Sequence, residues 1–194
     1  IDDNMIDEAK KNILSIKKQA STLEILVQDL LDLAKADIDD EKIQEINFTR
    51  IVEEVFQLNN VLSQKNAVTM SKNISITEKW LFPHVRILQI LNNLISNSIK
   101  YCDFDKKEKF VDITIKESLD QLEITVKDNG TGIPYDDKEE VFAMFKRYHS
   151  NKISGSGIGM YVLKKHVDAL GGEISFESNN QGSCFNIILH RFKL

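Results

Sequence analysis

The sequence predicts an α/β fold of the α+β type: a two-layer sandwich of a mixed, largely antiparallel sheet covered by helices, with a long helix at the N-terminus. Three observations support this prediction. A heptad repeat occupies residues 6–34, four later segments are predicted to be helices, and four others alternate apolar and polar residues as strands do. The 194 residues suffice for one domain with a substantial core and an appended element.

The first segment carries an apolar stripe whose spacing alternates between three and four residues, which keeps one seam of a helix towards a partner helix. The stripe consists of Ile6, Ala9, Ile13, Ile16, Ala20, Leu23, Val27, Leu30 and Ala34. We predict that residues 1–38 form part of a dimerisation helix; the alternative is a helix that packs only on its own domain. Residues 39–45 are charged and aperiodic, which predicts a linker to a separate domain at 46–194.

Within that domain, Ile46 and Phe48 predict a short strand, and Thr49 is the expected N-cap of a helix that ends near Leu62. The further predicted elements are strands within 68–76, a helix over 83–101, strands around 111–115 and 122–126, a helix over 138–145, a helix over 159–170 and a hairpin of 174–176 with 185–189. Gly171 and the glycine after it are expected to end the last helix.

The composition excludes some classes of function. The net charge of −5 and the scattered lysines argue against nucleic-acid binding, and Lys106 and Lys107 are offset by nearby acids, which predicts a solvated loop. Cys102 and Cys184 form no metal-ligand pattern and are expected to be reduced thiols, as in a cytoplasmic protein. No apolar run approaches the ~20 residues that span a bilayer, so any membrane anchor is expected upstream of this sequence.

The predicted helix around ILQILNNLISNSIKY has one polar face. Gln89, Asn93, Asn97 and Lys100 follow one another at spacings of four, four and three residues, so they project together. An amide oxygen can ligate a hard cation such as Mg²⁺, and an ammonium group can neutralise phosphate oxygens. The alternative is an ordinary solvated helix face.

Two glycine-containing segments are candidate ligand sites. Asp128-Asn129-Gly130-Thr131-Gly132-Ile133-Pro134 follows a strand directly, where the glycines permit close approach of a ligand and Asp128 can accept a hydrogen bond from an exocyclic amine such as that of adenine. The alternative is a simple turn. The second segment, Gly155-Ser156-Gly157-Ile158-Gly159-Met160, opens a helix and offers backbone N–H groups to phosphate. It matches neither a P-loop nor a dinucleotide-binding fingerprint.

In this order and spacing, the three segments resemble the N, G1 and G2 boxes of the histidine-kinase-like ATPase superfamily (the Bergerat fold), over about residues 46–190. Phe142, Phe145 and Arg147 resemble the F box that lies between G1 and G2 in histidine kinases. The resemblance implies a sensor histidine kinase of a two-component system, with ATP and Mg²⁺ as cofactors.

The resemblance also implies roles for individual residues. Asp128 should bind the adenine amine, Asn97 should ligate Mg²⁺, and Arg147 should steady the γ-phosphate. The implied catalytic residues are Asn93, Lys100 and Arg147. The implied nucleotide-binding residues are Asn93, Asn97, Lys100, Tyr101, Asp128, Gly130, Gly132, Ile133, Phe142, Phe145, Gly155, Ser156, Gly157, Ile158, Gly159 and Met160.

Asn93 discriminates within the superfamily, because the gyrase, mismatch-repair and chaperone ATPases place a glutamate there to activate water. An amide cannot act as a general base, and histidine kinases commonly have asparagine at this position. Two alternatives to a kinase remain: a non-catalytic ATP-binding scaffold of the same fold, and an ATPase whose hydrolysis drives a conformational cycle.

The segment 23–35 resembles the second helix of the dimerisation and phosphotransfer domain, which implies a homodimer and a response-regulator receiver domain as partners. We expect the phospho-accepting histidine upstream, since none of His84, His149, His166 and His190 lies in the expected context. Three residues depart from the family pattern: Met160 replaces leucine, Ser98 replaces alanine, and Cys184 replaces threonine.

Overall fold

The computed structural model describes residues 42–134, 139–146 and 156–191, together with positions 7–8, 10, 12–17, 19–20, 23–24, 27 and 31 near the N-terminus. The predicted α+β architecture is confirmed, because a five-stranded mixed sheet packs against helices. The strands are β1 (Ile43–Glu45), β2 (Val68–Ser75), β3 (Leu81–Pro83), β4 (Lys109–Ser118), β5 (Gln121–Asp128), β6 (Glu173–Asn179) and β7 (Gly182–His190).

The main sheet has the strand order β2-β4-β5-β7-β6. The pairing of β2 with β4 is parallel, and the other three pairings are antiparallel. Alternate residues of β5 (Leu122, Ile124 and Val126) are fully buried, as the sequence alternation predicts. Since β5 lies between β4 and β7, its last residue, Asp128, comes to the edge of the core with strands on both sides.

The helices are α1 (Phe48–Asn66), α2 (His84–Lys100) and α3 (Gly159–Ala169). The helix α2 buries a stripe of leucines and isoleucines in the same core as the inner face of the sheet. Its neighbour α1 runs parallel to it, with Asn59 Nδ2 donating to Asn92 Oδ1 at 2.8 Å and Asn66 Nδ2 donating to the Ile99 carbonyl at 3.0 Å. The polar face of α2 is therefore the face that does not pack into the core.

The start of the domain corrects three predictions. A strand at Ile46 and Phe48 is wrong, because α1 already begins at Phe48. Its N-cap is Asn47 and not Thr49, since Asn47 Oδ1 accepts from Arg50 N at 3.0 Å. The strand lies earlier, as β1, inside the segment predicted to be a linker, and it pairs with β3, which the sequence did not predict. All three residues of β1 are exposed, so no alternation marks it.

Other boundaries shift for local reasons. The helix α1 continues to Asn66, beyond Leu62, and ends where Ala67 adopts a left-handed conformation (φ 53°). A 3₁₀ turn at Glu139–Phe142 replaces the helix predicted over 138–145, within the residues described there. Gly171 ends α3 as expected, with φ +65° and its N–H donating to the Asp168 carbonyl.

The described positions of the N-terminal segment are helical, and their apolar side chains face outward. Ile13, Ile16 and Leu23 are 64%, 66% and 62% exposed. Residues 32–41, where the stripe ends, lie outside the described part. Among the residues that the structure does describe, no helix has both the length and the apolar character needed to cross a bilayer.

Candidate functional site

Asp128 ends β5 with a buried side chain that is 8% exposed. Its Oδ1 accepts hydrogen bonds from Gly130 N at 2.8 Å and from Ser183 N at 3.2 Å, and its Oδ2 accepts from Ser98 Oγ at 3.0 Å. Burial raises the pKa of the carboxyl above its ordinary value, and the three hydrogen bonds together with the Lys106 charge partly oppose that rise. Water is thus replaced by protein donors around this carboxylate.

The three donors leave one acceptor position open. A carboxylate has about four lone-pair positions, and two on Oδ1 and one on Oδ2 are taken. The fourth, on Oδ2, suits a donor such as the exocyclic amine of adenine. The sequence does not predict Ser98 as a site residue and marks it only as a departure from the alanine of the family pattern. That departure is the sequence feature that points to Ser98, since its hydroxyl reaches from α2 to the carboxylate.

The glycines after Asp128 let the turn pack closely on other backbone. A Cβ on Gly130 would lie 2.5 Å from the Tyr101 carbonyl oxygen, which accepts from Thr131 N at 3.0 Å. Gly132 has φ +69°, and a Cβ there would lie 1.7 Å from a backbone oxygen of β6. Ile133 N donates to Ser178 Oγ at 2.8 Å. The implied nucleotide-binding residues Gly130, Gly132 and Ile133 therefore lie between the end of α2 and the β6–β7 hairpin.

Asn129 and Lys106 fasten this turn to the loop 103–108. Asn129 Oδ1 accepts from Phe110 N, and Asn129 Nδ2 donates to the Glu108 carbonyl, both at 2.9 Å. Lys106 Nζ donates to the Asn129 carbonyl at 2.7 Å and to the Gln181 carbonyl at 3.0 Å. The loop is largely exposed, as the sequence predicts, but Lys106 is half-buried and its ammonium joins three segments around Asp128.

The amide face of α2 meets the first residues of α3. Asn97 Nδ2 donates to Met160 Sδ at 3.2 Å. A Cβ on Gly159 would lie 3.0 Å from Asn93 Oδ1, so α3 begins directly against Asn93. Lys100 follows on the same face in the last turn of α2 and is half-buried. The structure therefore brings together Asn93 and Asn97 of one predicted segment with Gly159 and Met160 of another.

Asn97 and Ser98 are consecutive, and they connect the two halves of the site. The Asn97 side chain points to Met160, and the Ser98 hydroxyl points to Asp128. Side chains of adjacent helix residues diverge by about 100°, so one turn of α2 can serve both the proposed metal position and the proposed adenine position.

The glycine-rich segment touches the residues that resemble the F box. Phe145 N donates to the Gly157 carbonyl at 3.0 Å. Gly157 has φ +78°, and a Cβ there would lie 2.8 Å from the Lys146 carbonyl oxygen. Phe145 itself has φ 65° and a side chain that is 60% exposed. Within the segment, Ser156 Oγ accepts from Ile158 N at 3.0 Å, and Ile158 is fully buried.

Phe142 is held differently, by an aromatic cluster on the sheet. Its ring meets the Phe176 ring edge-on with centroids 6.0 Å apart, and Phe176 stacks on Phe185 at 5.3 Å. Such pairs contribute beyond area burial, so Phe142 anchors the 3₁₀ turn that precedes the glycine-rich segment. Arg147 and Gly155, both predicted to act on phosphate, lie outside the described residues.

Known proteins resemble the chain in sequence and fold. Residues 83–193 match the family model described as "Histidine kinase-, DNA gyrase B-, and HSP90-like ATPase". The chain is 31% identical over 181 residues to the sensor histidine kinase WalK of Bacillus subtilis (strain 168), which covers 89% of this chain and 29% of WalK.

Solved structures give the same picture of the fold. The histidine kinase AdeS of Acinetobacter baumannii superposes with a TM-score of 0.75 at 21% identity, covering 93% of this chain and 84% of that one. The histidine kinase ThkA, solved in complex with the response regulator protein TrrA, superposes with a TM-score of 0.72 at 22% identity, covering 95% of this chain and 52% of that one. The chain thus covers 84% of the AdeS chain but only 29% of the length of WalK.

Proposed function

The chain belongs to the histidine kinase-, DNA gyrase B- and HSP90-like ATPase family, and from that membership we propose that it is the ATP-binding catalytic domain of a protein-histidine kinase. It takes the γ-phosphoryl group of Mg·ATP and transfers it to a histidine imidazole. The single observation that carries the choice of a kinase is the amide of Asn93, which lies against Gly159 at the start of α3.

The adenine base is proposed to bind at Asp128. The open acceptor position on Oδ2 receives the exocyclic amine, while Ser98 and two backbone N–H groups hold the carboxylate in place. Because the carboxylate is buried and already ordered, the hydrogen bond to the base forms with little reorganisation and in a medium where charge-assisted bonds are strong. Gly130 and Gly132 let the turn that follows this carboxylate pack directly on other backbone.

The phosphates are proposed to lie beside the amide face of α2, next to the start of α3. The donor set fits a hard divalent cation, because the Asn97 amide offers an oxygen, which is the ligand type that Mg²⁺ prefers. Lys100 lies one turn further along the same face and supplies positive charge for phosphate oxygens. Bound Mg²⁺ supplies charge neutralisation at the phosphates. Arg147 is proposed to stabilise the charge that develops on the γ-phosphoryl group.

Asn93 distinguishes transfer to histidine from hydrolysis. Removing a proton from water requires a general base, and an amide has no basic electron pair at neutral pH. A neutral imidazole already carries a lone pair and attacks phosphorus without such help. The enzyme then needs only to hold the two reactants in line and to stabilise the charge, which are the main terms in phosphoryl transfer.

The acceptor is proposed to lie outside this sequence, on a helix that pairs with the N-terminal helix. Among the described histidines, His166 is fully buried, and burial, followed by the Arg86 charge, lowers its pKa to about 4. In this conformation the imidazole is out of reach of a phosphoryl group. The exposed apolar side chains of Leu23 and its heptad partners support a homodimer through the N-terminal helix, and a response-regulator receiver domain is the proposed next acceptor.

The test uses the 194-residue chain and a longer version that includes its natural upstream segment. We expect both to bind ATP by calorimetry, and only the longer chain to acquire acid-labile, alkali-stable label from γ-labelled ATP. The Asp128→Asn variant of the longer chain serves as a control that should lose the label with its ATP affinity.

Three results would contradict the proposal. Strong binding without any transfer by the longer chain would favour a non-catalytic scaffold. Steady phosphate release that is faster than histidine labelling would indicate a hydrolysing ATPase. Labelling of the 194-residue chain itself, lost on replacing His149 or His190, would place the acceptor elsewhere.

A further inference from the structure

The contact between Asn97 and Met160 has a direction. Asn97 Nδ2 lies 3.2 Å from Met160 Sδ. A thioether has lone pairs but no hydrogen, so it can only accept, and the amide must turn its NH₂ group towards it. An asparagine side chain rotates readily about its last bond, and the two ends of its amide have nearly equal size. A partner that can only accept a hydrogen bond therefore decides which end of the amide faces away from it.

The other end of the amide is the oxygen. With nitrogen held at Met160, Oδ1 points away from the sulfur and is available as a ligand. The same amide without an acceptor at position 160 would expose nitrogen and oxygen in comparable amounts, and nitrogen cannot bind Mg²⁺ because it carries no free electron pair. Leucine matches methionine in volume but offers no acceptor.

Met160 is well placed to act in this way. It is the second residue of α3, directly after Gly159, where a Cβ would lie 3.0 Å from Asn93 Oδ1. Its side chain is half-buried and packs against the core, so the sulfur is held by its surroundings as well as by the amide. The sulfur is therefore a packed acceptor towards which Asn97 can orient its amide.

We propose that Met160 is a positioning residue for the metal site: its thioether accepts from the Asn97 amide and thereby presents Asn97 Oδ1 to the Mg²⁺ of bound Mg·ATP. The inference rests on the metal-ligand role proposed above for Asn97. It concerns only the metal, because neither side chain is assigned to the adenine base.

The experiment measures ATP affinity by calorimetry as a function of Mg²⁺ concentration, and again in EDTA. In Met160→Leu we expect the Mg²⁺ concentration for half-maximal enhancement to rise about 2-fold, because an amide with no preferred orientation presents its oxygen about half of the time. Any change of the affinity in EDTA should be smaller than this change. Met160→Gln keeps an unbranched side chain of similar length and supplies an oxygen acceptor, so its Mg²⁺ dependence should return towards that of the original chain.

Two further variants complete the design. Met70→Leu is the matched control, since Met70 packs against the core from β2 and should leave the Mg²⁺ dependence unchanged. Asn97→Ala should weaken the Mg²⁺ dependence more than Met160→Leu does, and Met160→Leu should add nothing in the Asn97→Ala background, because Met160 acts only through that amide. Thermal unfolding without ligand checks that each variant is folded.

The outcomes separate this inference from the proposed function. If Asn97→Ala changes the Mg²⁺ dependence and Met160→Leu does not, the positioning role is wrong while the metal-ligand role stands. If Met160→Leu has the same effect with and without the Asn97 side chain, Met160 acts by another route and the inference is overturned. If Asn97→Ala leaves the Mg²⁺ dependence intact, the metal role of Asn97 fails and the inference fails with it.

Discussion

Replacing Asp128 by asparagine should reverse the base preference of the site. In the structure, Oδ1 accepts from two backbone N–H groups, of Gly130 and Ser183. The asparagine oxygen must take that position, since an NH₂ group there would face two donors. The amide nitrogen then replaces Oδ2, where the Ser98 hydroxyl can rotate to accept from it but the adenine amine cannot.

The size of the effect follows from the interaction that is lost. A hydrogen bond to a charged acceptor contributes ~1.5–3 kcal/mol, which corresponds to about a 10- to 150-fold loss of ATP affinity. Inosine triphosphate carries an oxo group in place of the amine, and that oxygen accepts from the new NH₂ group. We therefore expect Asp128→Asn to bind inosine triphosphate at least as tightly as it binds ATP, whereas the original chain should strongly prefer ATP.

The protonation of Asp128 provides a second measurement. Burial raises its pKa above the ordinary value of 3.8, so the folded protein takes up this proton at a higher pH than the unfolded chain does. Below the raised pKa the carboxyl becomes a donor, and ATP binding should weaken as pH falls. Between 3.8 and the raised pKa, the ionised buried form lowers stability as pH rises. Asp128→Asn removes both pH dependences, that of ATP binding and that of stability. Without nucleotide, this variant should unfold at a temperature no lower than that of the original chain.

Calorimetry with the two nucleotides from pH 5 to 8 and thermal unfolding without nucleotide test these expectations. Asp120→Asn is the matched control, because Asp120 is exposed at the β4–β5 turn. An unchanged ATP to inosine triphosphate ratio in Asp128→Asn, with the protein folded, would refute adenine recognition by this carboxylate.

Three other substitutions have defined expectations. Lys106→Met should lower the ATP affinity measured by calorimetry about 3- to 10-fold, because two carbonyls around the Asp128 turn lose their hydrogen bond. Lys107→Met, at the exposed neighbouring residue, should leave this affinity unchanged. Gly132→Ala should cost about 2–5 kcal/mol of unfolding free energy in urea, since a left-handed φ is combined with a backbone clash, whereas Gly171→Ala, with the same sign of φ and open space, should cost only about 1–2 kcal/mol. Because the pKa of His166 is about 4 folded against 6.5 unfolded, the unfolded chain takes up the proton first as pH falls. Stability should therefore drop by up to about 3 kcal/mol between pH 7 and 4, and His166→Leu should abolish this part of the drop.

The sequence predicted the elements whose own residues carry the pattern. The alternation of β5 and the apolar stripe of α2 are local, because each is repeated within a few residues and depends only on which side of the element is buried. The paired strands β1 and β3 could not be predicted, since a three-residue exposed strand has no period to detect and is defined only by its partner.

The candidate site divides in the same way. Asp128, Asn97 and the glycines could be identified from the sequence because their spacing resembles that of a known family. The contacts of Ser98, Lys106 and Met160 could not, since each joins residues that lie 23 to 75 positions apart along the chain.

By itself, then, the sequence determined the fold class, the family resemblance and the positions of the residues proposed to bind nucleotide. Only the tertiary structure decided which atoms those residues present: that Asp128 has one acceptor position left, and that Asn97 turns its nitrogen to Met160. The physical reason is that periodicity records which side of an element is buried. The direction of a hydrogen bond depends on the partner that packing brings within about 3 Å of the group.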